Sequence, residues 1–208
     1  MRIGIFGGSF DPVHLGHLLV AECCREQARL DRVLFVPAAV PPHKQDRRLA
    51  PGDHRLAMLG LATGGNPAFG VLDVELARGG VSWTIDTLRA IGAQRPADRL
   101  YLILGPDALA GLPSWRDPAG ILALAEPIAV ERSGVDDVAR IVQAPALRAL
   151  VGEAGVERVL ATVVRCPAIG IRSTDLRAAV SEGHSIRYRT PAAVERYIAT
   201  HGLYRERA

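Results

Sequence analysis

The stretch "GGSFDPVHLGHL", Gly7 to Leu18, holds the residues best placed to do chemistry. Two histidines, His14 and His17, stand three residues apart behind a pair of glycines. On a helix that spacing is one turn, so both rings share a face. Helical side chains lean toward the N-terminus, which turns both rings back toward the glycines. A residue without Cβ lets a ligand approach the backbone closely. A helix start offers unbonded N–H groups and partial positive charge, and both attract phosphate. Imidazole can donate a hydrogen bond to a phosphoryl oxygen and, when protonated, offset charge there. These parts predict a phosphate site with two imidazoles. It is not a dinucleotide fingerprint, because G-x-G-x-x-G is absent, nor a Walker loop, because no Lys-Ser/Thr follows the glycines. No third or fourth ligand stands near the histidines in sequence, so no protein metal site is expected.

The elements around this stretch must hold it in place. Ile3 to Phe6 reads as a buried strand, and a helical pattern runs from about His14 to Arg29, with Gly16, Val20, Cys23, Cys24 and Ala28 on one face. Gly16 sits on the sheet-facing stripe, where a missing side chain permits close helix–strand contact. Val33 to Val36 is a second strand, which makes a βαβ unit and a parallel sheet. The proline-rich segment from Pro37 to Pro51 reads as a loop, in which His43 and Lys44 can either approach phosphate or stay solvated. Further on, His54 to Thr63 reads as helix with Leu56, Leu59 and Leu61 as core. Phe69 to Leu76 reads as strand, and Trp83 to Ile91 as helix with Ser82 available as cap. Leu100 to Leu104, Pro127 to Val130 and Val159 to Val164 read as strands, and Asp136 to Gly155 as helix. After Arg172 come a short helix and "TPAAVERYIATHGLY", where Thr190 caps, Pro191 opens and Gly202 ends the last helix. In such a sheet, ligands sit at the carboxyl ends of the strands.

The 208 residues are 49% hydrophobic and 23% charged, which suits a folded globular chain and argues against disorder. The net charge is +3 and the basic residues are scattered, so no stripe for nucleic acid is visible, and a small anionic ligand suffices to explain the balance. Lys44 is the sole lysine among 25 basic residues, a skew that discounts isolated arginines as signals. The odd count of cysteines, Cys23, Cys24 and Cys166, fits free thiols better than a disulfide framework or zinc site. No signal peptide and no apolar run long enough to span a membrane can be read, so a cytoplasmic location is expected.

At His14-Leu15-Gly16-His17 the sequence resembles the H-x-G-H nucleotidyltransferase superfamily, and along most of its length it is similar to the bacterial nicotinate-nucleotide adenylyltransferase branch. "FVPAAVPPHK", "SWTIDTL" (Ser82 to Leu88), "LGPDALAGLPSW" (Leu104 to Trp115), "IRSTDLR" (Ile171 to Arg177) and "VERYIATHGLY" carry the likeness. Strands alternate with helices throughout, which predicts a single α/β domain over 1–208, a doubly wound parallel sheet with 172–208 as its C-terminal helical portion, and the resemblance implies that the sheet is of Rossmann-like nucleotidyltransferase type. It implies adenylyl transfer from ATP, with Mg²⁺ carried on the ATP phosphates, to nicotinate mononucleotide in NAD biosynthesis. His14 and His17 would hold the ATP phosphates, with His17 nearest the α-phosphate. Gly8, Ser9 and Phe10 would line the site with backbone, and Gly105 and Asp107 would contact the ribose of the adenylyl half. Ser173, Thr174 and Arg177 would receive the triphosphate. Trp115 would stack on the pyridine ring, while Trp83 and Thr84 would meet its carboxylate. Ala38 and Ala39 stand where some members carry asparagine, Trp83 where tyrosine is usual, and Arg172 where the signature often has serine. A nicotinamide-mononucleotide-using or dual enzyme, a pantetheine-phosphate enzyme and a non-catalytic nucleotide-binding module are the competing readings. No nucleic-acid or membrane partner is expected, and either a monomer or a homo-oligomer fits.

Overall fold

A computed structural model describes residues 1–42, 49–135 and 137–205. His43 and Lys44 lie outside the described residues. The strands are β1 (Arg2–Gly8), β2 (Arg32–Pro37), β3 (Phe69–Val71), β4 (Arg99–Leu104), β5 (Glu126–Arg132) and β6 (Val164–Cys166). They form one sheet in the order β3-β2-β1-β4-β5-β6. Pairing is parallel from β1 to β4, with Ile3 beside Leu100 and Ile5 beside Leu102, and parallel again from β4 to β5 and β5 to β6. The chain winds outward on one side of β1 and then on the other, so the sheet is doubly wound, as the alternation of strands and helices predicts.

The helices are α1 (Leu15–Gln27), α2 (Gly52–Thr63), α3 (Val74–Arg78), α4 (Thr84–Gln94), α5 (Pro106–Gly111), α6 (Pro118–Leu124), α7 (Val138–Val142), α8 (Pro145–Ala161), α9 (Ser173–Ser181) and α10 (Ala192–Thr200). Two compact units can be distinguished. One comprises 1–6, 20–34 and 83–168; the other comprises 7–19, 35–82 and 169–208.

In the first unit, Ile3, Ile5, Leu102, Leu104, Ile128 and Val130 are buried on the central strands. Each contributes on the order of 1.5–3 kcal/mol of burial. Gly4 belongs to this packing, since a Cβ there would lie 2.7 Å from Leu30 and 3.2 Å from Ile103. The three cysteines are free. Burial pushes the Cys166 thiol up to about 12, and it hydrogen-bonds Cys23. In the second unit, the rings of Phe10, Phe35 and Phe69 meet edge to face, and α10 packs on α2 through His54 Nδ1, 2.9 Å from the Tyr197 hydroxyl.

Several local expectations are corrected. The strand from Phe69 stops at Val71, because the chain turns at Asp73 into α3. Val159 and Leu160 are helical, and the last strand begins only at Val164. In α2 the buried residues are Arg55, Met58, Leu59 and Thr63, while Leu61 is 45% exposed. On α1 the buried positions are Ala21 and Cys24. Neither proposed hydroxyl cap forms. Ser82 Oγ accepts the Ala39 N–H at 2.8 Å, and Thr190 Oγ donates to the Val13 carbonyl at 2.8 Å. Pro191 stands just before α10, not within it. Gly202 follows that helix with φ +60°, the left-handed turn expected of a terminating glycine.

Candidate active site

The stretch Gly7 to Leu18 lies in the second unit and is built around the exit of β1. Phe10 turns the chain with φ +48°. Its ring folds back over Gly8, where a Cβ would approach Phe10 Cζ to 3.0 Å. A side chain at position 8 would therefore press the ring aside by a few tenths of an ångström. The same ring meets His17 edge-on at 5.1 Å between centroids, so Phe10 contributes a buried wall as well as backbone.

His14 immediately precedes α1 and His17 lies in its first turn. Their rings stack, with centroids 3.7 Å apart and planes 24° apart. The sequence spacing thus puts the two imidazoles on one face, as predicted. The His14 backbone N–H donates to His17 Nδ1 at 3.2 Å. This copies a capping box, in which the third helical residue reaches back to the free N–H before the helix. Because Nδ1 accepts, the His17 proton resides on Nε2, which makes that nitrogen a hydrogen-bond donor. His14 differs. Burial lowers its pKa to about 4, so it is neutral near pH 7 and acts as a dipole rather than a cation. Its Nδ1 is buried and makes no hydrogen bond among the described residues. Gly16 packs under this ring, not against a strand: a Cβ there would lie 3.1 Å from His14 Nδ1.

The start of α9 is tied to the same turn. Ser173 Oγ donates to the Pro12 carbonyl at 2.9 Å, and Arg177 Nη1 donates to the Asp11 carbonyl at 2.7 Å. Thr174 is exposed in the first turn, and no side chain caps α9. Arg172, the departure from the signature, pairs with Asp175 at 3.1 Å. The structure therefore ties the start of α9, through Ser173 and Arg177, to the turn that carries Gly8, Phe10, His14 and His17. Ser9 joins it through its carbonyl, which accepts from Arg55 Nη1 at 2.9 Å. Arg55 is buried and also donates from Nε to the Ala50 carbonyl at 2.9 Å. Sequence reasoning missed Arg55, Asp11 and Tyr204. The available signal was an arginine in the apolar run of α2, masked by the general abundance of arginine.

The remaining predicted residues lie in the first unit. Trp83 immediately precedes α4 and Thr84 opens it, with no side-chain cap. The helix start therefore presents backbone N–H groups beside a half-buried indole. The Arg116 guanidinium lies 5.6 Å from the Trp83 ring centroid and 3.6 Å from Asp86. Gly105 and Pro106 lead into α5, whose first turn carries the exposed Asp107. Trp115 follows a short 3₁₀ turn, Leu112–Ser114, and is half-buried, with Nε1 3.6 Å from the Cβ position of Gly111. Among the described residues no group of three or more His, Cys, Asp or Glu side chains forms a metal cage. No described helix is long and apolar enough to cross a membrane.

Comparison with known proteins adds to this geometry. Residues 5–179 match the cytidylyltransferase-like family. A protein of Roseiflexus sp. strain RS-1, named as a probable nicotinate-nucleotide adenylyltransferase, is 47% identical over 205 residues, covering 98% of each chain. Those of Thermomicrobium roseum and Thermus thermophilus, with the same name, are 44% and 43% identical; they cover 98% and 99% of this chain, and 92% and 100% of their own. Among solved structures, the Plasmodium falciparum nicotinic acid mononucleotide adenylyltransferase complexed with NaAD superposes with a TM-score of 0.73 at 19% identity, over 98% of this chain and 97% of that one. At that identity the likeness concerns the fold. Family match, full-length identity and the paired imidazoles agree: the chain belongs to the nicotinate-nucleotide adenylyltransferases of the cytidylyltransferase-like family.

Proposed function

We propose that the chain transfers the adenylyl group of MgATP to nicotinate mononucleotide, giving nicotinate adenine dinucleotide and pyrophosphate for NAD biosynthesis in the cytoplasm. An oxygen of the mononucleotide 5′-phosphate forms the new bond to the α-phosphorus, and the bond from that phosphorus to the β-phosphate bridge breaks. The attacking oxygen is already anionic, so no general base is required. Catalysis consists of positioning and charge stabilisation. The observation that carries this reading is the His17 tautomer: a backbone N–H occupies Nδ1 and commits Nε2 to donate. A donor held in this way needs no reorganisation when charge builds on the α-phosphate oxygens.

His14 offers a second, neutral imidazole, and Gly8, Ser9 and Phe10 frame the turn. Ser173, Thr174 and Arg177 receive the β- and γ-phosphates at the start of α9. Gly105 and Asp107 take the ribose of the adenylyl half, Trp115 stacks on the pyridine, and Trp83 and Thr84 present N–H groups to its carboxylate. Mg²⁺ enters as part of MgATP, held mainly by phosphate oxygens and water.

Ala38 and Ala39 bear on the choice of acceptor. Their N–H groups are committed to the Gly8 carbonyl at 2.9 Å and to Ser82 Oγ at 2.8 Å, and their methyl groups cannot bond a carboxylate. Acid selection then falls to the α4 start. The test is pyrophosphate release with MgATP and, in parallel, nicotinate mononucleotide, nicotinamide mononucleotide and phosphopantetheine. Strong preference for the acid is expected. Equal turnover of the amide would make this a dual enzyme, and no release with any acceptor would leave a nucleotide-binding module.

A further inference from the structure

Asp11 is 1% exposed, yet the reaction gives it no chemical task. Its Oδ1 accepts the Tyr204 hydroxyl at 2.7 Å and the Ala50 N–H at 3.2 Å. Its Oδ2 is buried without a hydrogen bond among the described residues, and Arg177 Nη1 stands 3.7 Å away. That separation is too long for a hydrogen bond and short enough for strong attraction. Arg177 Nη1 instead donates to the Asp11 carbonyl. The other nitrogens of that guanidinium make no bond among the described residues, and its side chain is 26% exposed. One edge of the fork is tied back and the other is open.

Tyr204 reaches Asp11 from 193 residues away, on backbone bent to φ +64°. Burial, reinforced by Asp11, pushes its phenol above the ordinary tyrosine range, so the hydroxyl remains a donor at every working pH. The carboxylate thus faces two cations, Arg177 and the buried Arg55, and two neutral donors, the phenol and the Ala50 N–H. The neutral donors hold Oδ1. Without the phenol, the carboxylate is free to rotate toward Arg177 and take the guanidinium as a two-point fork, the favoured geometry of an arginine–carboxylate pair.

We propose that Asp11 and Tyr204 are positioning residues: the Tyr204 hydroxyl occupies the Asp11 carboxylate so that Arg177 keeps an open edge for the nucleotide triphosphate. This rests on the reading of Arg177 as a triphosphate ligand.

The test is a double-mutant cycle with Y204F and D11N in the full chain, read by KM for MgATP, KM for nicotinate mononucleotide, and calorimetric Kd for a non-hydrolysable MgATP analogue. Y204F removes one oxygen and leaves the ring. It should raise KM and Kd on the MgATP side about fivefold, the scale of one misaligned charged hydrogen bond, while KM for the mononucleotide stays within about twofold of wild type. In the D11N background there is no charge to capture Arg177, so Y204F should then change MgATP affinity by less than about twofold. A purely structural role would instead lower affinity for both substrates and make the double variant worse than either single one. Unchanged MgATP affinity in Y204F, or a double variant weaker than Y204F alone, would overturn the proposal. If wild type releases no pyrophosphate with any acceptor, the proposed reaction fails, while the calorimetric cycle still decides the role of Tyr204.

Discussion

His17 and His14 have the same side chain and different surroundings. His17 takes a backbone N–H on Nδ1, so H17A removes the donor and strands that N–H; kcat is expected to fall on the order of 10²-fold or more. A pyrophosphate assay showing near-normal turnover would exclude the role. His14 carries a pH signature. The unfolded chain protonates it below about 6.5, whereas the folded chain keeps it neutral down to about 4. Between those values the unfolded state binds more protons, so stability rises with pH and is lost as pH falls. The loss across that window is on the order of 3 kcal/mol. Urea midpoints at pH 4.5 and 7 should therefore differ more for wild type than for H14Q; equal differences would contradict the buried, neutral ring. G16A offers a third reading, because its methyl would press on His14 Nδ1 from 3.1 Å. Turnover should drop while far-ultraviolet circular dichroism stays that of wild type.

The elements show where local chemistry was overruled by distant partners. Ser82 and Thr190 both stand just ahead of a helix, where hydroxyls usually cap. Each is claimed by another segment, Ala39 N–H and the Val13 carbonyl respectively, and no one-dimensional pattern reveals those claims. Phe69 to Leu76 is largely apolar, and length alone could not separate three residues of strand from the helix turn after Asp73. By contrast, β1, β2 and β4 were legible, because their apolar runs are buried where they stand, whereas α1 was legible in its place but not in its buried face, Ala21 and Cys24. The H-x-G-H spacing was legible because one helical turn is local geometry. The Ser82 finding has its own test. In S82A the Ala39 amide should exchange hydrogen faster, at a cost of about 1 kcal/mol, with α4 amides unaffected. Lost protection in α4 would restore Ser82 as its cap.

At the scale of the molecule, the doubly wound order followed from alternating strands and helices. The hydrogen-bond network around Ser9 and Asp11 did not, because Arg55, Asp11 and Tyr204 come from three distant parts of the sequence and carry no shared pattern. That separation has a consequence for synthesis. Every segment of the first unit has been made once residue 168 is joined, whereas the second unit needs 169–208. The two histidines are made before either unit is complete. The Leu15 N–H finds the Arg189 carbonyl, Val13 finds Thr190 and Asp11 finds Tyr204 only after residues 189, 190 and 204 have been made. A nascent chain can therefore close its first unit while the turn at His14 and His17 still lacks its partners.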